Sequence, residues 1–347
     1  MDKYIEYRDK LLHNISLLRH KNGAYSASLG EHYVKYSWWR DVFFINLCLL
    51  DRDNDTYIEN YHNYLDAFKG YERDYGKFSN LIKNPIIKDG EDWRLVHPRV
   101  FAHDFSENHH ECWGWSQTDI LGEILIGLYE GYKRGLPIFR DEEDREIIQL
   151  YIDAMIATDF VRREDSSFWE ERKQHNASSL GLCVKGLEYA IEMGFKVPSK
   201  YLKFARDTLE NRLPREAPDR PIDMALLALP MFDVTDYITS QYIVQKVELK
   251  LLREHGVIRY EGDIYYSKDG KELEWSMGLL FLGLVYGKLG YKEVARFYLD
   301  KCVYLYPDGH IAEGKYYNGE NNPNVDLGWS MSLAVLLIDK ILGDIKC

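Results

Sequence analysis

The chain has 347 residues, 46% of them hydrophobic, and a formal net charge of −12. That charge disfavours nucleic acid and anionic membrane surfaces as partners, and no apolar run reaches the ~18 residues that span a bilayer. Five scattered cysteines (Cys48, Cys112, Cys183, Cys302 and Cys347) without a CxxC pair suit reduced thiols in a cytoplasm, and the charged, amphipathic start lacks the apolar core of a signal peptide.

Hydrophobic periodicity is helical almost throughout and predicts twelve helices. In chain order they run at about 3–20, 40–50, 56–75, 117–132, 141–158, 177–192, 198–212, 221–230, 236–254, 274–289, 291–304 and 326–342. The first is charged on one side, the second ("RDVFFINLCLL") is apolar nearly all round, and the two kinds alternate strictly to the end. A helix apolar all round is buried, and an amphipathic one lies outside it. The alternation therefore predicts an all-α fold, an (α/α)6 barrel of six inner and six outer helices. With no linker or low-complexity tract, residues 1–347 read as a single domain.

Connections from outer to inner helices are mostly long, at about 21–39, 76–116, 159–176, 255–273 and 305–325. Long loops in a compact domain are usually functional. These hold Trp38, Trp39, Arg40 and Asp41 in "YSWWRDV", and Trp113 and Trp115 in "ECWGWSQTD". They also hold Trp169, Glu170 and Glu171 in "FWEER", Arg259 in "VIRYEGDIYY", and Glu313 in "GHIAEGKYY", with "LGWSMS" following. Tryptophans beside acids suit a carbohydrate, whose C–H faces stack on aromatic rings while its hydroxyls seek charged hydrogen-bond partners. The side-by-side pair Glu170 and Glu171 is the oddest element, because one turn of helix would point the two about 100° apart.

Taken in order, these motifs resemble glycoside hydrolase family 15, the glucoamylase family, over nearly the whole chain. "YSWWRD" looks like its Trp-x-Arg-Asp, "WGWSQTD" its Trp-Gly-x-x-Gln-x-Asp and "FWEE" its Trp-Glu-Glu. "RYEGD" is similar to its Arg-Tyr-x-x-Asp, and "IAEG…LGWS" to its base-carrying Glu with the downstream Trp-Ser. The family's fold is the same barrel. The resemblance implies that Glu170 is the general acid and Glu313 the general base; no P-loop, dinucleotide fingerprint or metal-ligand spacing appears, so no cofactor and no metal is expected. It further implies that Arg40 and Asp41 bind hydroxyls of the terminal sugar beside Trp38 and that Trp113 stacks near the acid. Glu171 and Arg259 would grip the leaving side, with Trp169 as a wall. Departures fall at Trp115, where the family often has Arg, and at Gly314, where Gln often follows the base. Val34 stands where a Tyr is common, with Tyr33 adjacent, and Met331 stands where a His is common.

The implied activity is inverting, exo-acting hydrolysis of α-linked glucosides in short oligosaccharides, with the two carboxyls roughly 6.5–9.5 Å apart. Trehalose and α-1,6-linked oligosaccharides are alternative substrates. A non-catalytic glucan-binding or regulatory module, like the related phosphorylase kinase subunits, is the alternative of another class. "DRDNDTYIENYH" (51–62) fails as a calcium loop because Thr56 and His62 stand at the required Gly and Glu; Thr56 with Glu59 reads as a capping box. The histidines of one loop (His97, His103, His109 and His110) lack zinc spacing.

Overall fold

The computed structural model of the protein describes residues 2–108 and 114–343. The described residues are all-α, with helices α1 (Asp2–Leu17), α2 (Trp39–Leu49), α3 (Asn54–Tyr75), α4 (Lys77–Lys83), α5 (Asp119–Lys133), α6 (Glu142–Ala157) and α7 (Ala177–Glu192). There follow α8 (Ser199–Arg212), α9 (Ala228–Met231, entered through a 3-10 turn at Met224–Leu227), α10 (Tyr237–Leu251), α11 (Ser276–Lys288), α12 (Lys292–Leu305) and α13 (Gly328–Leu342). None of these is long and apolar enough to cross a membrane. The chain divides into two compact units. The terminal unit is Met1–His20, Tyr25–Ser37 and Pro214–Cys347, and the central unit is Lys21–Ala24 and Trp38–Leu213.

Within the central unit, α2, α5 and α7 are buried nearly all round, while α3, α6 and α8 bury one face. Helices α5 and α7 pack at very close range, and glycine makes this possible. A Cβ at Gly122 would lie 2.2 Å from the backbone of Leu182, and one at Gly186 would lie 2.9 Å from Gly122. Asp53 caps α3 by accepting from Thr56 N at 3.1 Å, so the cap is one aspartate rather than the expected Thr56–Glu59 box. Helix α3 ends at Gly76, whose φ of 58° is the left-handed stop that glycine supplies. Helix α4 follows at once, inside what periodicity treats as a loop.

Within the terminal unit, α11 and α13 are buried all round, and α1, α10 and α12 bury one face. Helix α1 is fixed to α13 by Arg8 and Asp339 at 2.8 Å and to α12 by Tyr4 OH donating to Asp300 at 2.9 Å. The two-residue strand Glu274–Trp275 pairs antiparallel with Gly314–Lys315. That pairing places Glu313 against the start of α11, where Ser276 N donates to the Glu313 carbonyl at 3.1 Å.

Candidate active site

The residues singled out in the sequence fall into two groups, one in each unit. In the central unit the stretch after α6 is a loop whose root is closed by an antiparallel bridge between Asp165 and Gln174. Asp165 fastens that root. Its Oδ2 accepts from Thr118 N and Oγ1 (3.1 and 2.8 Å), and its Oδ1 from Asn176 Nδ2 (2.8 Å). At the tip, Ser167 and Glu170 both hold φ of 58°. Left-handed backbone is costly for such residues, by roughly 1–3 kcal/mol each, and persists only where the surroundings impose it. Glu170 and Glu171 thus lie in a strained turn seven residues before α7 begins, not on a helix, and the helical angle between neighbours does not apply.

Glu170 is partly exposed, and its Oε1 accepts from Trp38 Nε1 at 3.1 Å. Trp38 is the residue before α2, and Arg99 lies over its ring at 5.2 Å. Trp169 is buried and meets Phe168 edge-on. Glu171 is tied by its backbone N–H to Ser166 O at 3.2 Å. The first turn of α2 carries Arg40 and Asp41, both buried. Arg40 joins three segments: Nε and Nη2 donate to Asp119 Oδ2 (2.8 and 2.6 Å), Nη2 to Gln117 Oε1 (2.7 Å), and Nη1 to Phe168 O (3.0 Å). The arginine expected to bind a sugar hydroxyl therefore also holds the acid-bearing loop to the start of α5. One turn further along α5 sits Glu123, fully buried, with neither oxygen hydrogen-bonded among the described residues. Burial above all, with Asp119 and Asp41 nearby, holds its carboxyl well above the usual range; Arg40 opposes this in part. Trp113 lies outside the described residues. Trp115 is a packing residue: it is buried, with His97 at 4.2 Å between ring centroids and Lys77 4.8 Å over its face.

In the terminal unit Glu313 is buried and surrounded by donors. Oε1 accepts from Tyr33 OH at 3.2 Å; Oε2 accepts from Asn322 Nδ2 (2.7 Å), Asn324 Nδ2 (2.8 Å) and Tyr265 OH (3.4 Å). Burial raises its pKa above the ordinary carboxylate value; the Asn324 and Asn322 amides, the Tyr33 phenol and the charge of Arg259 pull the other way. Arg259 is itself held by Asp263, Nε to Oδ2 at 2.6 Å and Nη2 to Oδ1 at 2.5 Å, with Tyr265 and Trp275 rings 4.9 and 5.1 Å away.

The four partners of Glu313 were not singled out from sequence, yet two departures from the family pattern point at them. Tyr33 beside Val34 supplies the phenol. Gly314 has no room for a glutamine, since a Cβ there would sit 2.8 Å from Leu273 and 2.9 Å from Glu274 O. Asn322 and Asn324 supply amides in its place. Among the described residues no group of three or more metal-ligating side chains converges.

No protein-family model and no curated protein sequence matches the chain. Solved structures do. A glycosidase variant in complex with glucose matches with a TM-score of 0.81 at 19% identity, over 98% of each chain. A glucoamylase from Saccharomycopsis fibuligera matches at 0.71 and 14% identity, over 98% of this chain and 95% of that one. A family 15 glucoamylase from Hypocrea jecorina matches at 0.67 and 15% identity, over 97% of this chain and 71% of that one. At such identities the likeness establishes the fold: this chain has the (α/α)6 barrel of the glucoamylases, as the alternation of its helices and its motifs both predict.

Proposed function

We propose that this protein is a glycoside hydrolase, one catalytic domain over residues 1–347, that releases glucose from the non-reducing ends of short α-linked oligosaccharides with inversion. Glu313 carries the reading. A carboxylate that is buried, raised in pKa and gripped by two amides and two phenols is oriented and basic enough to take a proton from water. Glu170, on a strained turn against Trp38, is the general acid that protonates the glycosidic oxygen. Arg40 and Asp41 hold the terminal sugar, with Trp38, Trp113 and Trp169 as apolar walls and Glu171 and Arg259 on the leaving side. The glucose-bound glycosidase among the matching structures supports a sugar in this fold, and the glucoamylase-like motifs support the α-linkage. The cysteine pattern favours a cytoplasm, where short oligosaccharides are at hand.

The stereochemistry tests the mechanism. Maltose, isomaltose and trehalose are screened, and the best substrate is followed by proton NMR from the first turnover. The β-anomer of glucose appears first and the α-anomer grows in by mutarotation. Initial release of the α-anomer, expected of a retaining enzyme with a nucleophilic carboxylate, rules out Glu313 as a base.

The pH profile tests the base separately. Glu313 acts deprotonated, so activity rises with pH through its pKa and this residue sets the acid limb of kcat/KM. The Asn324 amide stabilises the carboxylate and lowers that pKa. Asn324→Ala therefore raises it further and moves the acid limb to higher pH. An unmoved acid limb, or one displaced to lower pH, excludes Glu313 from that limb.

A further inference from the structure

A cavity of about 920 Å³ lies in the central unit between α4 and the segment that follows it, and none of the residues placed in the mechanism above lines it. Its volume falls within the roughly 300–1,000 Å³ of small-molecule sites. Three large apolar side chains line it although each is mostly exposed: Tyr75 at 60%, Ile86 at 75% and Trp93 at 55%. Such a concentration of exposed apolar surface usually marks a place of contact.

The charges around the cavity decide what fits it. Arg94 is spent on its own walls, donating to Ile86 O at 2.8 Å, to Asn84 O and to Glu91 at 3.2 Å. Lys77 is buried and spent in the same way, on Trp93 O at 3.1 Å and Glu107 at 2.7 Å. These contacts fix the loop and leave no guanidinium or buried ammonium to receive an anion. What remains is two broad aromatic surfaces with the Asn84 amide and the exposed ammonium groups of Lys83 and Lys88 at the rim, where water screens their charge. Flat apolar faces edged by hydrogen-bonding groups match a neutral sugar chain better than a phosphate or a carboxylate. The cavity is also joined to the acid-bearing loop, since Asp92, beside Trp93, pairs with Lys173, three residues after Glu170.

We propose that this cavity is a second carbohydrate-binding site, taking a neutral oligosaccharide of two or more units on Trp93 and Tyr75. It rests on the glycosidase reading for the class of sugar, but not for its existence. It would hold longer substrates on the surface that adjoins the acid-bearing loop.

The test uses the full chain with Glu313→Gln, to prevent turnover, titrated calorimetrically with maltotriose and isomaltotriose. Two classes of site are expected. Adding Trp93→Ala weakens one class about threefold to tenfold, as loss of one aromatic contact should, while Trp93→Phe retains most of it. In the otherwise wild-type enzyme, Trp93→Ala raises KM for the longer sugars and leaves kcat/KM on a nitrophenyl α-glucoside unchanged. A single class that Trp93→Ala weakens, together with no glucose released from either sugar by the otherwise wild-type enzyme, keeps this site and overturns the hydrolase reading. No Trp93-sensitive class with either sugar overturns the site, as does a Trp93-sensitive class displaced by millimolar inorganic phosphate.

Discussion

Glu170→Gln and Glu313→Gln each lower kcat on the natural oligosaccharide by about 10²- to 10⁴-fold, the usual worth of a positioned acid or base. They separate on a glucosyl fluoride. Fluoride departs with little protonation, so Glu170→Gln keeps a substantial part of wild-type activity there. Glu313→Gln stays poor on both substrates, because water still needs a base, and azide restores part of it as a small nucleophile. The amide substitutions are chosen because both positions are constrained. Glu170 occupies left-handed backbone and bonds to Trp38, and Glu313 has four donors that an amide oxygen can still partly satisfy. Circular dichroism and thermal unfolding close to wild type accompany the loss. Wild-type turnover in either variant removes that residue from its role, and equal loss on the fluoride in both removes the distinction between acid and base.

Arg40→Leu has the largest effect on stability, about 3–5 kcal/mol. The reason is what it leaves behind. Asp119 is buried and receives two charge-assisted hydrogen bonds from Arg40, and Gln117 and the Phe168 carbonyl lose their donors with it. An uncompensated buried carboxylate is costly, more so with Asp165 as its electrostatic neighbour. Arg40→Lys recovers only part, since a single ammonium cannot span Asp119, Gln117 and Phe168 O together. Adding Asp119→Asn to Arg40→Leu returns part of the loss by removing the orphaned charge. Denaturant midpoints for the three variants give the result. A fall of less than about 1 kcal/mol for Arg40→Leu shows that the clamp is not what holds this loop to α5.

The helices were legible because burial is written in periodicity. A buried helix such as α11 has no polar face, while α8, with only Leu202, Ala205 and Leu209 buried, has an obvious one. What escaped was short or tertiary. Helix α4 has only seven residues, too few for a period to register, and Lys77, Phe78 and Leu81 become its buried face only once the chain closes over them. The stretch at 221–230 reads as one buried helix, yet Asp223 caps a 3-10 turn that passes into the short α9, with Pro230 near its end. At the site, residues adjacent to a motif could be picked out and remote partners could not. Tyr33 reaches Glu313 across 280 positions of sequence. Asn324 reaches it by a hairpin whose course no local pattern discloses.

Glu123 gives the protein a proton inventory that changes on unfolding. Folded, its carboxyl keeps a proton well above the ordinary value of 4.5; in the open chain it gives that proton to solvent. Above about pH 4.5 the native state therefore binds more protons than the unfolded state at this residue, and stability falls as pH rises. The slope is about 1.4 kcal/mol per pH unit until the folded value is reached, and the loss is constant beyond it. Below the ordinary value both states are protonated and Glu123 contributes nothing. Glu123→Gln, neutral at every pH, abolishes this component, so its Tm exceeds that of the wild type at neutral pH and converges with it near pH 4. At this one position, the buried acid behind Arg40 thus favours mildly acidic over neutral solution.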